Sequence, residues 1–94
     1  MIKHIVMWKF KEKTEKEQNE FFNGLKGLQG QIKEIKSMQI GKSLKENNDY
    51  DAILISEFEN LDDLKKYKED PRHVKVSSLC KSMRISRTSM DIEE

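Results

Sequence analysis

Two stretches of this sequence, Ile2 to Phe10 and Tyr50 to Phe58, read as strands with apolar side chains on both faces. Along the first, Ile2, His4, Val6, Trp8 and Phe10 fall on one side, and Ile5 and Met7 occupy the middle of the other. Along the second, Ile53 and Ile55 alternate with Ala52, Leu54 and Phe58. An antiparallel strand with one solvated side alternates apolar with polar residues. These two do not, so the sheet they build needs cover on both faces, and that requirement narrows the fold more than any other feature of the chain.

The remaining segments supply cover for one face. Thr14 followed by Glu17 has the form of a capping box, and it opens a helical stripe of Gln18, Phe21, Phe22, Leu25, Leu28 and Ile32. A first helix is predicted from about Glu15 to Gln29. Gly24, Gly27 and Gly30 lie on it although an interior glycine costs about 1 kcal/mol relative to alanine. They are read as close helix-to-sheet packing or as an early C-cap at Gly30, and not as a phosphate-binding loop, because they follow no strand in the required pattern. Ile35 to Ile40 is a second, weaker strand ending at Gly41, and Ser43 to Asp49 is a polar loop. Asn60 is predicted to cap a helix carrying Leu61, Leu64 and Tyr67. Asp70-Pro71 interrupts it and starts another segment, with Asp70 as N-cap, Pro71 at the first helical position, and His73, Val76, Leu79, Cys80 and Met83 on one stripe. Ile85 to Ile92 closes the series as a strand before the acidic Glu93-Glu94.

The order strand, helix, strand, strand, helix, strand is the split β-α-β arrangement, an α+β ferredoxin-like fold. It implies a four-stranded antiparallel sheet with both helices on one face, in a single domain of residues 1–94. The other face, with Ile5, Met7 and one set of third-strand residues, would then be an exposed apolar patch too large for a stable monomer. A second copy packed face to face about a two-fold axis covers it, giving a barrel-like homodimer.

Composition excludes several partners. Lysine plus arginine (18) nearly balances aspartate plus glutamate (17), a formal charge of +1, so no overall field favours a nucleic acid. No stretch approaches the ~20 apolar residues of a membrane span. Cys80 is the only cysteine and Met1 to Lys13 lacks a signal peptide's apolar run, which together read as a cytoplasmic protein.

Met1-Ile2-Lys3-His4-Ile5-Val6 followed by Trp8-Lys9-Phe10-Lys11 resembles the opening strand of the stress-responsive dimeric α/β-barrel family. Ile35-Lys36-Ser37 before Gly41, Tyr50-Asp51, Phe58-Glu59, and Tyr67 with Asp70-Pro71-Arg72-His73 follow in the family's order across nearly the whole chain. The resemblance implies the same fold and dimer, in a family that includes plant stress proteins and a polyketide cyclase branch. Tyr67 and His73 have the spacing of the catalytic pair of the olivetolic acid cyclase branch. His4, Val6, Trp8, Phe21 and Phe22 match its pocket positions. Asp70 replaces the first histidine of that branch's motif, Arg72 replaces a small residue beside the presumed base, and the indole of Trp8 stands where a smaller side chain is frequent, with bulk enough to fill the cavity.

The residues support a matching chemistry. His73, early in a helix, sits where the positive dipole end disfavours the imidazolium, so a neutral ring is available as a base. Tyr67 would donate a hydrogen bond to a developing enolate, and His4 would orient the ligand, a small apolar carbonyl-containing or polyketide-like molecule. No cofactor is required, and no spacing supports a metal site. The competing readings are structural: His73 bonded to a backbone carbonyl or to Asp70, Tyr67 topping the core, His4 a satisfied core histidine, Phe21 and Phe22 helix core, and Cys80 a buried thiol about two turns from His73. At the level of the whole protein the alternatives are a non-enzymatic stress-response or interaction dimer with a closed cavity, and a monooxygenase of the dimeric α/β-barrel type acting on haem or a quinol-type substrate.

Overall fold

The computed structural model describes residues 1–44 and 48–94, so part of the expected polar loop, at 45–47, lies outside the described residues. Its elements are β1 (Ile2–Phe10), α1 (Glu15–Gln31), β2 (Ser37–Lys42), β3 (Ala52–Phe58), α2 (Leu61–Glu69), α3 (Pro71–Ser78) and β4 (Arg84–Glu93). The four strands form one sheet in the order β2-β3-β1-β4, each neighbour antiparallel. This is the ferredoxin-like order that the sequence implies, with α2 and α3 sharing the place of the second helix. Among the described residues no helix is long and apolar enough to cross a membrane.

Burial alternates strictly along the two central strands. Ile2, His4, Val6, Trp8 and Phe10 of β1 and Ala52, Leu54, Ser56 and Phe58 of β3 are buried toward the helices. Phe21, Phe22, Leu25 and Leu28 of α1, with Leu64 and Tyr67 of α2, close the core over them. On the opposite face Ile5 pairs with Ile55 on one side and Met90 on the other, and Met7 with Ile53 and Thr88. Ile5, Met7, Ile53 and Ile55 are only half-buried and Met90 is exposed, so an apolar strip runs across that face.

The helix boundaries follow local chemistry, with corrections. The Asn60 side chain accepts from the Asp63 N–H at 2.9 Å, and Asp70 accepts from the Arg72 N–H at 2.9 Å with Pro71 opening α3, as the sequence implies. Thr14 makes no capping bond. The chain enters α1 through Lys13 at φ 61°, which turns the Thr14 hydroxyl back to donate to the Lys11 carbonyl at 2.7 Å and accept from Gln18 Nε2 at 2.9 Å. Gly30 is not a C-cap: α1 runs past it to Gln31, and Ile32 still donates to the Leu28 carbonyl at 2.8 Å. Gly24 serves helix-to-helix and not helix-to-sheet packing, for a Cβ there would lie 3.0 Å from Val76 Cγ1 of α3. The expected stripe from His73 to Met83 is not one helix. α3 stops at Ser78 and a run of turns follows, leaving Leu79 exposed while Cys80 and Met83 turn inward.

The ladder between β1 and β4 is interrupted near the start of β4. Lys9 pairs with Ser86 but Phe10 pairs with Arg84, so Ile85 is an extra residue in β4 and is 61% exposed. Residues three apart on a regular strand face opposite ways. Across this bulge Arg84 and Arg87, paired with Phe10 and Trp8 respectively, lie on the same, helix-covered side of the sheet.

Candidate functional site

A cavity of about 560 Å3 opens between the inward side chains of β1, the α1 face, the α2–α3 junction and the start of β4. That volume is in the range of small-molecule sites. His4, Val6 and Trp8 of β1 and Phe21 and Leu25 of α1 form its walls. Tyr67 and His73 come from the two sides of the break at Asp70, whose extended backbone (φ −63°, ψ 128°) ends α2 before Pro71. The break lays the two rings against each other with centroids 4.2 Å apart and planes tilted by 39°.

Tyr67 is fully buried, its ring 5.0 Å from that of Phe58 and 6.3 Å, edge-on, from that of His4. Among the described residues its hydroxyl has no hydrogen-bond partner. Burial pushes the phenol up to about 12, so it remains a neutral donor at any physiological pH. The Trp8 Nε1–H is likewise buried without a partner. A buried donor left unsatisfied typically costs about 1–3 kcal/mol, and both of these donors lie beside the one cavity.

Both histidines are held neutral and oriented. His73 Nδ1 lies 3.3 Å from the Lys68 carbonyl and must carry the proton to bond it, leaving Nε2 as a proton acceptor. Burial lowers its pKa, the Lys68 carbonyl opposes this, and the nearby His4 and Arg87 add to the lowering. His4 donates from Nδ1 to Asp91 Oδ1 at 2.5 Å, the residue paired with it across β1 and β4. Burial lowers His4 as well, against the pull of Asp91. Burial disfavours the Asp91 carboxylate, yet the His4 bond and the Lys68 ammonium at 3.5 Å outweigh it and hold the group below its ordinary range. The dyad fixes the tautomer of His4 and leaves its Nε2 lone pair free of the Asp91 contact.

The residues proposed from the sequence therefore converge in part. Tyr67, His73, His4, Val6, Trp8 and Phe21 all line the cavity. Phe22 does not. It turns to Phe10, with centroids 5.9 Å apart, and lies under the Lys42 ammonium, 5.4 Å from its ring centre. Trp8 does not fill the space: its indole stands edge-on to Phe21 at 5.2 Å and forms a wall. The structural contacts considered for His73 and Tyr67 exist alongside the cavity, since His73 bonds a backbone carbonyl, that of Lys68, and Tyr67 packs on Phe58. Cys80 is a buried wall residue whose Sγ donates to the Ser77 carbonyl at 3.1 Å, and burial pushes its thiol up. Among the described residues no group of three His, Cys, Asp or Glu is placed to hold a metal ion.

Sequence reasoning missed Asp91 and the cationic rim of Lys81, Arg84 and Arg87. The only signal for Asp91 was an acid within a predicted strand, which says nothing until the pairing of β4 with β1 sets it opposite His4.

A model of the stress responsive A/B barrel domain matches residues 2–94. No curated protein matches the sequence. Among solved structures, a dimeric ferredoxin-like protein of unknown function from Bacteroides fragilis is 30% identical with a TM-score of 0.89, over 99% of this chain and 95% of that one. A dimeric ferredoxin-like protein of unknown function from Thermobifida fusca is 21% identical with a TM-score of 0.87, over 99% and 90%. A hydroxynitrile lyase from Passiflora edulis is 17% identical with a TM-score of 0.86, over 99% and 94%.

Proposed function

The chain belongs to the stress-responsive A/B barrel domain family, and from that premise we propose that it is a single-domain cytoplasmic homodimer, paired through its open sheet face, with cofactor-free acid–base activity on a small carbonyl-containing molecule. Similar structures are dimeric, which supports self-association. The choice of face rests on the strip of Ile5, Met7, Ile53, Ile55 and Met90, which no helix covers among the described residues. The fold accommodates catalysis, a hydroxynitrile lyase being built on it.

The observation that carries the chemical reading is the partnerless Tyr67 hydroxyl beside the neutral His73 ring. His73 Nε2 takes a proton from the carbon next to the ligand's carbonyl, and the electron pair moves onto the carbonyl oxygen. Tyr67 donates its hydrogen bond to that oxygen as charge develops. The enolate carbon then attacks a second carbonyl, whose π pair moves onto its oxygen as an alkoxide that takes the proton back from the imidazolium, as the resemblance to the olivetolic acid cyclase branch implies, or the enolate is itself reprotonated by the imidazolium. His4, held by Asp91, fixes the pose from the opposite wall. A positioned base contributes about 10²- to 10⁴-fold.

Loss of the proton signal next to the carbonyl in D2O, followed by NMR for a panel of aryl ketones and 3,5-dioxo thioesters, tests the reading. Acceleration that falls about 100-fold in His73→Ala and in Tyr67→Phe is expected. Exchange at the buffer rate across the panel, with no change in the emission of Trp8, the only tryptophan, would return the protein to the non-enzymatic dimer reading.

A further inference from the structure

The cavity's lining combines apolar and cationic residues. Trp8, Phe21, Leu25 and Leu54 supply apolar surface, and Lys81, Arg84 and Arg87 supply positive charge. Two of the chain's three arginines are thus spent on one cavity in a sequence with fifteen lysines and a net charge of only +1. Among the described residues no aspartate or glutamate lines it, and none of the three cations forms an ion pair with a carboxylate. The arginines share the site only because Ile85 bulges out of β4; strict alternation would send Arg84 to the opposite face. The orphaned donors of Tyr67 and Trp8, both buried, line the same space.

We infer that the ligand is amphipathic and anionic: an apolar, carbonyl-bearing body against Trp8 and Phe21 with an oxyanion headgroup held by Lys81, Arg84 and Arg87. This deepens the acid–base reading of the same cavity and rests on it for the carbonyl alone. The headgroup chemistry rests on the three cations. A guanidinium pair matches a carboxylate or a phosphate through paired N–H donors, so either group satisfies the rim. A fixed positive charge near the carbonyl also favours the enolate, which gives the rim a part in the reaction besides binding.

The test uses three probes with one body: 4-acetylbenzoate, its uncharged methyl ester, and 4-acetylphenyl phosphate, each titrated against the emission of Trp8. Either anion binding about tenfold more tightly than the ester, with the advantage shrinking as salt rises, is expected, and the better of the two identifies the headgroup. The advantage is expected to shrink severalfold in Arg87→Gln combined with Lys81→Gln, two exposed positions, and an advantage that persists undiminished there overturns the assignment of the headgroup to the rim. Equal binding of all three probes overturns the anionic assignment and leaves the cavity reading standing. Binding of none overturns both.

Discussion

The role proposed for Tyr67 and its contribution to stability can be separated by experiment. Among the described residues its hydroxyl is buried without a partner, so Tyr67→Phe should leave the protein as stable or more stable by about 1 kcal/mol in urea unfolding, while slowing about 100-fold the proton exchange that it is proposed to assist. A large loss of stability would instead mean that the hydroxyl is bonded in solution. The histidines predict a pH dependence of definite sign. Both have folded-state pKa values below the unfolded value, so the stability they contribute is fully present above about 6.5 and is lost as pH falls through the folded values. Melting temperature should therefore drop on going from neutral to mildly acidic buffer, and the drop should be smaller in His73→Gln. Asp91 loses its ionised-state advantage only further down, below the ordinary carboxylate range. At this scale the sequence was legible where chemistry depends on local spacing. Tyr67 and His73, six residues apart across a proline break, were paired by the resemblance to the cyclase branch, and it is the fold that lays their rings 4.2 Å apart. His4 with Asp91 is a pair 87 residues apart, and no local pattern announces it.

Among the elements, α1 shows why three similar glycines are not equivalent. Gly27 would meet only the flexible end of Gln31 at 3.9 Å and Gly30 nothing, so alanine at either should stabilise the helix by about 0.5–1 kcal/mol. At Gly24 the new Cβ would press on branched Val76 at 3.0 Å, and thermal unfolding of Gly24→Ala should show that gain cancelled or reversed. The sequence marked all three as odd without telling them apart, because the approach of α3 is a tertiary fact. Capping was legible at Asn60 and Asp70, where a side chain bonds its own helix, and misleading at Thr14, where the left-handed Lys13 alters the entry. The bulge at Ile85 was invisible for a similar reason: a period of two is the natural reading of a strand, and only the register with β1 reveals the additional residue.

For the whole molecule, the doubly apolar strands carried the most information, since they called for cover on both faces and, among the described residues, the helices cover only one. Placing a charge in the middle of the open face tests the layer proposed for it. Ile55→Glu should weaken the dimer at least about a hundredfold in sedimentation velocity, because an unpaired carboxylate would be buried where an isoleucine had been. The cavity lies on the opposite side of the sheet and should survive in the separated protomer. The topology also has a consequence in time. β1, the first strand to be synthesised, sits inside the sheet, and one of its two neighbours is β4, so that the Glu94 N–H reaches back to the Met1 carbonyl at 3.0 Å. On the ribosome one hydrogen-bonding edge of β1 must wait without its partner until residues 84–93 emerge. His4 waits with it for Asp91, and the arginine rim is the last part of the cavity to exist, so a nascent chain halted at residue 82 would hold most of its core and none of its charged mouth beyond Lys81.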